Sequence, residues 1–239
     1  MTHLYLIRHG QHIGAVQDII GDTELSPLGI KQVQRLRDRL VATGEIKADI
    51  LISSTFLRAK QTAEIIAPAL DLPILFDDEV QEWRVGEAEG MTMQQYRATF
   101  GEFDPREHPF QPMAPGGENW VQFLVRVGTA LDRITHQYVD KTIIIVCHGG
   151  IVDSSFLYFF GIGALQMPYA SFETRNTSIT HWHQQKNDSG NLRRRWRLVK
   201  YNDYMHLRDI DSPVRIPWKE LSRQVTGIDQ SAVPLETEK

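Results

Sequence analysis

The sequence predicts an α/β fold, a three-layer sandwich in which a mostly parallel central sheet has helices on both faces. Short apolar runs at residues 4–7, 50–52 and 143–146 have the length of buried strands, and the third is rich in β-branched residues. Helical patterns separate these runs, and strands that alternate with helices are typical of parallel sheets. The chain has 239 residues, 41% of them hydrophobic, which is enough for one large domain with a sizeable core.

The predicted elements follow one another regularly. After the first strand, Ser26 and Pro27 begin an amphipathic helix that we expect to end near Gly44. Further helices are expected at residues 56–70, 118–138 and 151–160. Strands are expected near Leu4, Leu51, Ile74, Ile144, Ile179 and Leu198.

Two of the strand-like runs end in a histidine followed by glycine. Arg8, His9 and Gly10 follow the first run, and His148 and Gly149 follow the run at 143–146. The carboxyl ends of parallel strands meet at the edge of the sheet where open α/β folds form a crevice. Arginine is a permanent planar cation for phosphate oxygens, and a neutral imidazole can act as a nucleophile. The pattern therefore indicates phosphate chemistry at this edge.

Two more residues fit the same chemistry. Arg58 lies in the first turn of the helix after the strand at 50–52, where a cation does not suit the helix dipole but does suit the binding of an anion. Glu82 lies in an acidic, turn-rich segment at residues 77–86 and is the candidate proton donor.

In order and in type, these motifs resemble those of the histidine phosphatase superfamily, which includes cofactor-dependent phosphoglycerate mutases and many phosphatases. The resemblance covers roughly residues 3–200 and rests on Arg8-His9-Gly10, on Asp22 through Leu25-Ser26 to Gly29, on Ser53-Ser54 with Arg58 and Thr62-Ala63, on Glu82 with Gly86 and Glu89-Gly90, on residues 115–118 (Pro-Gly-Gly-Glu), on His148-Gly149-Gly150 and on residues 176–179 (Asn-Thr-Ser-Ile).

The resemblance implies a phosphoglycerate mutase-like fold and a phosphomonoester hydrolase that forms a phosphohistidine on His9. Glu82 would protonate the leaving oxygen and later accept a proton from water. Arg8, Arg58 and a protonated His148 would offset the charge of the phosphoryl group. Gln11 and Gly149 are the expected substrate-binding residues, and no metal or cofactor is expected. The full set of expected site residues is Arg8, His9, Gln11, Arg58, Glu82, His148 and Gly149.

The chemistry adds two expectations. One nitrogen of His9 must carry a lone pair while the other donates a hydrogen bond, and a nearby backbone carbonyl is the expected acceptor. Glu82 must be protonated during the attack, which predicts acid-shifted activity on nitrophenyl phosphate. Asp22 and Glu118 are the competing carboxylates, but Asp22 suits a turn or cap and Glu118 suits a helix start.

Two alternative functions stay open beside hydrolysis. A phosphoglycerate mutase is disfavoured because residues 82–85 read Glu-Trp-Arg-Val where the mutases have Glu-Arg-His-Tyr, and because Ala15 lies near where asparagine is usual. A non-catalytic phosphate-binding module is disfavoured because the expected nucleophile and acid are both present.

Other catalytic and metal sites fit the sequence less well. Cys147 lacks the arginine that cysteine phosphatases need six residues later, because position 153 is Asp. His181 and His183 alternate on a predicted strand and make half of a metal site, although a polar surface is the favoured interpretation. The basic run at 193–195 is expected on the solvated face of a hairpin.

Composition and segment order complete the predictions. The net charge of −4 argues against nucleic acid as a partner. No apolar run has membrane-spanning length and no leader precedes the first strand, so we expect a cytoplasmic enzyme. Its expected partner is a small phosphorylated metabolite, and a homodimer is left open. A catalytic domain is expected at residues 1–201. Its insertion at about 91–114 either covers the crevice and selects substrate or packs without ligand contact. A partly flexible extension is expected at 202–239.

Overall fold

The computed structural model describes residues 1–163, 165–185 and 195–208. Its strands are β1 (Thr2–Arg8), β2 (Ile50–Ser54), β3 (Ile74–Asp77), β4 (Thr142–Cys147), β5 (Ile179–Gln185) and β6 (Arg195–Asp203). Within these residues they form one sheet in the order β3-β2-β4-β1-β5-β6. The first four strands pair in parallel, whereas β5 and β6 are antiparallel. The predicted mostly parallel sheet is therefore confirmed.

The four predicted helices are present with small shifts at their ends, and the structure adds two short helices at 13–17 and 93–100. The helices are α1 (Ile13–Gln17), α2 (Pro27–Thr43), α3 (Leu57–Leu70), α4 (Met93–Phe100), α5 (Trp120–Gln137) and α6 (Gly149–Phe160), with short 3-10 turns at Asp78–Val80, Gly86–Ala88 and Met205–Leu207. Ser26 caps α2 by accepting a hydrogen bond from the Gly29 amide at 3.0 Å, and Gly44 ends it with φ of 55°. Helix α5 begins two residues later than predicted because Asn119 is its capping residue, and α6 begins two residues earlier because His148 precedes its first turn.

Two apolar layers cover the two faces of the sheet. Ile143 and Ile145 of β4 pack with residues of α5 and α6, while Ile144 and Val146 pack on the other face with residues of α2 and α3. Side chains alternate between the faces of a strand, so a strand buried on both faces is apolar throughout. The three-layer α/β sandwich is thus confirmed.

The inserted segment at 91–114 builds a small core of its own. Tyr96 of α4 is buried, and its hydroxyl donates to the Met113 carbonyl oxygen at 2.9 Å. Tyr96 packs with Ala88 and Ala114, and Ile20 lies against the same cluster. The segment is therefore a packed excursion, as one of the two interpretations expected; whether it also selects substrate stays a prediction.

The chain continues past residue 201 in contact with the sheet. Asp203, at the end of β6, accepts hydrogen bonds from Arg39 and Lys200, and one compact unit runs from Met1 to Arg208. The remaining predictions for the extension, at residues 209–239, and for residues 193 and 194 of the basic run lie outside the described residues. In the described part of the chain, no helix is long and apolar enough to cross a membrane.

Candidate active site

The order of the strands brings the predicted site residues together. Strand β4 lies between β1 and β2, with Arg8 opposite Cys147 and Ser53 opposite Val146. The residues that follow in each chain segment therefore emerge side by side at the carboxyl ends of these strands. The rings of His9 and His148 have centroids 5.0 Å apart.

Both ring nitrogens of His9 have a hydrogen-bond partner. Nδ1 lies 2.7 Å from the Gly10 carbonyl oxygen, which can only accept, so Nδ1 carries the proton. The Arg58 Nε–H donates to Nε2 at 3.1 Å, so Nε2 carries the lone pair. The expected backbone acceptor is therefore Gly10 itself, and the tautomer is the one that a nucleophilic Nε2 requires.

The backbone of His9 is held as firmly as its ring. Its amide donates to the Cys147 carbonyl oxygen at 2.9 Å, and its carbonyl oxygen accepts from the Asn176 side chain at 2.9 Å. Gly10, the next residue, donates its amide to the Thr62 hydroxyl at 3.1 Å. The imidazole thus projects from a backbone that is bonded on both sides.

Arg58 is buried at the start of α3 and is oriented by Asp22. Its Nη1 donates to Asp22 Oδ1 at 2.8 Å and to the Gly21 carbonyl oxygen at 3.1 Å. The other carboxylate oxygen of Asp22 accepts from the Leu57 amide at 2.5 Å, in the first turn of α3. Asp22 therefore caps this helix from a distant loop and turns the guanidinium toward His9, which agrees with its predicted capping character.

His148 is fully buried and has one free ring nitrogen. Its Nε2 lies 2.8 Å from the Ser54 hydroxyl oxygen, whereas its Nδ1 has no hydrogen-bond partner in the described part of the chain. A buried polar atom without a partner is rare, and in a site it is a position where a ligand atom can bind.

Burial keeps both histidines neutral. Desolvation lowers the pKa of His9 well below its usual value, with further lowering by His148, Arg58 and Arg8. Desolvation, Arg58 and Arg8 do the same to the pKa of His148. The expectation of a protonated His148 is therefore corrected for the protein alone: two guanidinium groups and a dry environment disfavour a third cation. A bound phosphoryl dianion would act in the opposite direction.

The Glu82 carboxylate lies against the N-terminus of α6. Its Oε2 accepts from the Gly150 amide at 2.9 Å, and its Oε1 accepts from the Trp83 amide at 3.1 Å. Desolvation lowers the pKa of both Arg8 and Arg58, and Coulombic interaction with Glu82 raises it in part. The Glu82 carboxylate is therefore near enough to interact with both guanidinium groups.

The competing carboxylate Glu118 is used in the structure of the protein. It forms a two-pronged ion pair with Arg126 at 2.6 and 2.7 Å and also accepts from the Arg84 amide at 3.1 Å. With Asp22 paired to Arg58, Glu82 is the one of the three compared carboxylates that forms no ion pair within 4 Å.

Arg8 is half-buried and keeps a donor available. Its Nη1 donates to the Thr174 carbonyl oxygen, whereas its buried Nε finds no acceptor among the residues that the structure describes. A Cβ built on Gly149 would lie 3.7 Å from this Nε, so Gly149 is the residue next to the free donor. The side-chain oxygen of Gln11 accepts from Ser26 at 2.8 Å, and its substrate contact stays a prediction.

Sequence reasoning missed several residues that the fold brings to this edge. Ser54, which lies in one of the matching motifs but was given no role in the site, contacts His148. The ring of His12 lies 5.5 Å from that of His9, and Thr174 holds Arg8. Asp153, which the sequence analysis named only because a cysteine phosphatase would have arginine there, lies one turn into α6. None of these carries a local signal, because each is defined by a partner far away in the chain.

The residues weighed for other chemistry lie away from this constellation or are inert. Burial raises the pKa of the Cys147 thiol, so it is a poor nucleophile. His181 stacks on Tyr5 with ring centroids 4.0 Å apart, and its Nε2 lies 3.0 Å from Nδ1 of His3.

Comparison with known proteins adds independent findings. A model of the histidine phosphatase superfamily (branch 1) matches residues 4–203. PhoE of Bacillus subtilis (strain 168), described as an uncharacterised phosphatase, is 26% identical over 208 residues, which cover 87% of this chain and 97% of the relative. Phosphoglycerate mutase-like protein 4 of Arabidopsis thaliana is 31% identical over 165 residues, 64% of this chain and 69% of the relative. The solved structure of Bacillus stearothermophilus YhfR superposes with a TM-score of 0.71 at 27% identity, covering 87% of this chain and all of that one (100%).

Proposed function

The chain belongs to the histidine phosphatase superfamily, branch 1, and we propose that it hydrolyses small phosphomonoesters through a phosphohistidine on His9 without a metal or cofactor. The observation that carries the proposal is the tautomer of His9. A neutral ring with its proton on Nδ1 and its lone pair on Nε2 is ready to attack phosphorus.

In the first step, the Nε2 lone pair of His9 attacks the phosphorus while the bond from phosphorus to the ester oxygen breaks. The leaving oxygen takes the proton of Glu82, so an alcohol departs rather than an alkoxide. Arg58, which donates to this lone pair in the protein alone, turns its Nε–H to a phosphoryl oxygen as the substrate enters.

The charge of the transferring group is met by preorganised donors. Phosphoryl transfer passes through a loose transition state with charge spread over the equatorial oxygens, so positioned cations supply most of the rate. The free Nε–H of Arg8, the Arg58 guanidinium and the free Nδ1 of His148 are the groups available. His148 contributes either as a neutral donor or as a cation once the dianion has raised its pKa.

In the second step, the Glu82 carboxylate takes a proton from a water molecule whose oxygen attacks the phosphorus. The bond from phosphorus to Nε2 breaks, inorganic phosphate leaves, and His9 and protonated Glu82 are restored. The cycle therefore balances without an external acid or a metal ion.

The test is hydrolysis of nitrophenyl phosphate by the whole chain in the presence of a chelator. We expect activity on the acidic side of neutrality, because the mechanism needs a protonated Glu82 and a neutral His9, and the lowered pKa of His9 keeps it neutral there. His9→Ala should abolish turnover, and Glu82→Gln should lower it by about 100-fold or more.

Rapid acid-free quenching with radiolabelled phosphoester distinguishes catalysis from binding. We expect acid-labile label on Glu82→Gln, none on His9→Ala, and normal labelling of the control His136→Ala, whose ring lies exposed on α5. Label retained by His9→Ala would disprove the phosphohistidine, and bisphosphoglycerate-dependent interconversion of phosphoglycerates would establish a mutase instead.

A further inference from the structure

Asp153 lies beside the phosphate-binding groups without belonging to them. It is one helical turn after Gly149, the residue next to the free Nε of Arg8, and helix residues four apart share a face. Coulombic interaction links its carboxylate to both Arg8 and Glu82. Asp153 therefore lies on the face of α6 that carries Gly149, and its carboxylate interacts with the Phe172 amide and the Thr174 hydroxyl.

This carboxylate is desolvated by the segment that packs on α6. Phe172 stacks on Phe156 with ring centroids 4.1 Å apart, three residues beyond Asp153 on the helix. Burial, and then the charge of Glu82, raise the pKa of Asp153 to about 7, against the opposing effects of Arg8, the Phe172 amide and the Thr174 hydroxyl. Its charged form is thus only partly compensated by the protein.

One oxygen of Asp153 lacks a partner among the described residues. Its buried Oδ1 forms no hydrogen bond within them. The contacts with the Phe172 amide and the Thr174 hydroxyl leave this oxygen without a donor, whereas both carboxylate oxygens of Asp22 and of Glu118 are bonded. The missing partner of Oδ1 is therefore expected from outside the protein.

The chemistry of that partner follows from the charges around it. Oδ1 of a carboxylate accepts hydrogen bonds, and a cationic donor would also offset the charges of Asp153 and Glu82. A carboxylate on the substrate would instead become a third anion next to these two. Since Arg8 and Arg58 are needed by the phosphoryl group, no described cation of the site is left to pair with a carboxylate on the substrate.

We propose that Asp153 is a specificity-determining residue that accepts a hydrogen bond from an ammonium group on the alcohol part of the substrate and disfavours substrates with a carboxylate there. The preferred substrates are thus small aminoalkyl phosphates. The inference rests on the proposed phosphatase function and extends it to the substrate class.

The test compares three esters of nearly equal size: phosphoethanolamine, ethyl phosphate and phosphoglycolate, which carry a cationic, a neutral and an anionic end. At about pH 8, where Asp153 is ionised, we expect kcat/KM to fall in that order, with phosphoethanolamine preferred over ethyl phosphate by about 10- to 100-fold, the value of one charged hydrogen bond. Asp153→Asn should bring this ratio close to 1 and raise the relative rate on phosphoglycolate. The exposed Asp38→Asn on α2 is the control that keeps the wild-type ratios.

Two further measurements support this test. The first does not depend on turnover, and the second does not need the Asp153→Asn variant. On a His9→Ala background, calorimetry should show tighter binding of phosphoethanolamine than of ethyl phosphate, and Asp153→Asn should remove the difference. In the wild type, the ratio of the two rates should rise with pH through about 7 as Asp153 ionises.

The results separate the two proposals. A wild type that binds the esters in the expected order but releases no phosphate would disprove the phosphatase and keep the role of Asp153. Equal loss of kcat/KM on all three esters in Asp153→Asn, or wild-type ratios that are the same for all three, would overturn the role of Asp153 and leave the phosphatase intact.

Discussion

A side chain at position 150 would occupy the space that the Glu82 carboxylate takes. A Cβ built on Gly150 lies 2.2 Å from Glu82 Oε1 and 3.0 Å from the Phe123 ring, while the Gly150 amide donates to Oε2. A methyl group at position 150 would therefore displace the carboxylate of Glu82, the candidate proton donor.

We therefore predict that Gly150→Ala lowers kcat for nitrophenyl phosphate by about 100-fold, because a displacement of about 1 Å in a reacting group can cost this much. The measurement is steady-state kinetics together with thermal unfolding. Gly128→Ala on α5 is the matched control, since its Cβ would meet only the Tyr158 ring at 3.4 Å. Full activity of Gly150→Ala would show that the position of Glu82 does not matter.

The segment that carries Glu82 depends on helix α5 for its shape. Arg126 donates to the carbonyl oxygens of Glu79 and Gln81 at 2.7 and 3.0 Å and to that of Glu82 at 3.3 Å, while its other donors hold Glu118. A loop without regular backbone pairing needs such partners for its carbonyl groups. One buried guanidinium supplies them.

Arg126→Met should therefore destabilise the protein by about 3–5 kcal/mol, the usual cost of leaving a buried charge without its partner. Equilibrium unfolding in urea measures this. Arg133→Met, also on α5, removes an exposed ion pair with Asp77 and should cost about 0–1 kcal/mol. The side chains are 6% and 47% exposed, so equal losses for the two variants would show that burial of the ion pair is not the cause.

Buried histidines make the stability of the molecule depend on pH. Burial is the first cause that lowers the pKa of His12, His181 and His206 to about 4, and it lowers that of His9 and His148 well below the usual value. Below about pH 6.5 these histidines bind protons in the unfolded chain but stay neutral in the folded chain. The stabilising effect of the neutral rings is thus complete above about pH 6.5 and is lost as the pH falls toward 4.

We predict that Tm falls steadily between about pH 6.5 and 4, because the buried histidines outnumber Asp153, whose raised pKa of about 7 acts in the opposite direction. Each histidine contributes at most about 1.4 kcal/mol per pH unit, and less where solvent screens it. Differential scanning calorimetry of the wild type and of His206→Asn, which should show a shallower fall, checks this. Arg39 lowers the pKa of Asp203. The stability that Asp203 contributes is lost only below the usual pKa range of a carboxylate, so it does not affect this pH interval. A flat profile would contradict the prediction.

Local patterns were enough to predict most of the fold. The apolar runs at 4–7 and 143–146 became β1 and β4, and the ends of α2 follow from a serine cap and a terminal glycine, because such signals act within one turn of the chain. The start of α5 was misplaced because Asn119, and not its neighbour Glu118, caps the helix.

The residue types of the candidate site were also readable from the chain, because an arginine and a histidine placed directly after a buried strand are suited to binding and attacking a phosphoryl group. The tautomer of His9 and its backbone acceptor were also expected, whereas the other partners were not. Desolvation keeps His148 neutral, a distant Asp22 turns Arg58, and Asp153 comes near Arg8 because its helix begins at a different strand. Hydrophobic periodicity and helix caps are properties of neighbours in sequence. Burial and charge contacts depend on which distant segments pack against each other, and these pairs cannot be read from the pattern of a single sequence.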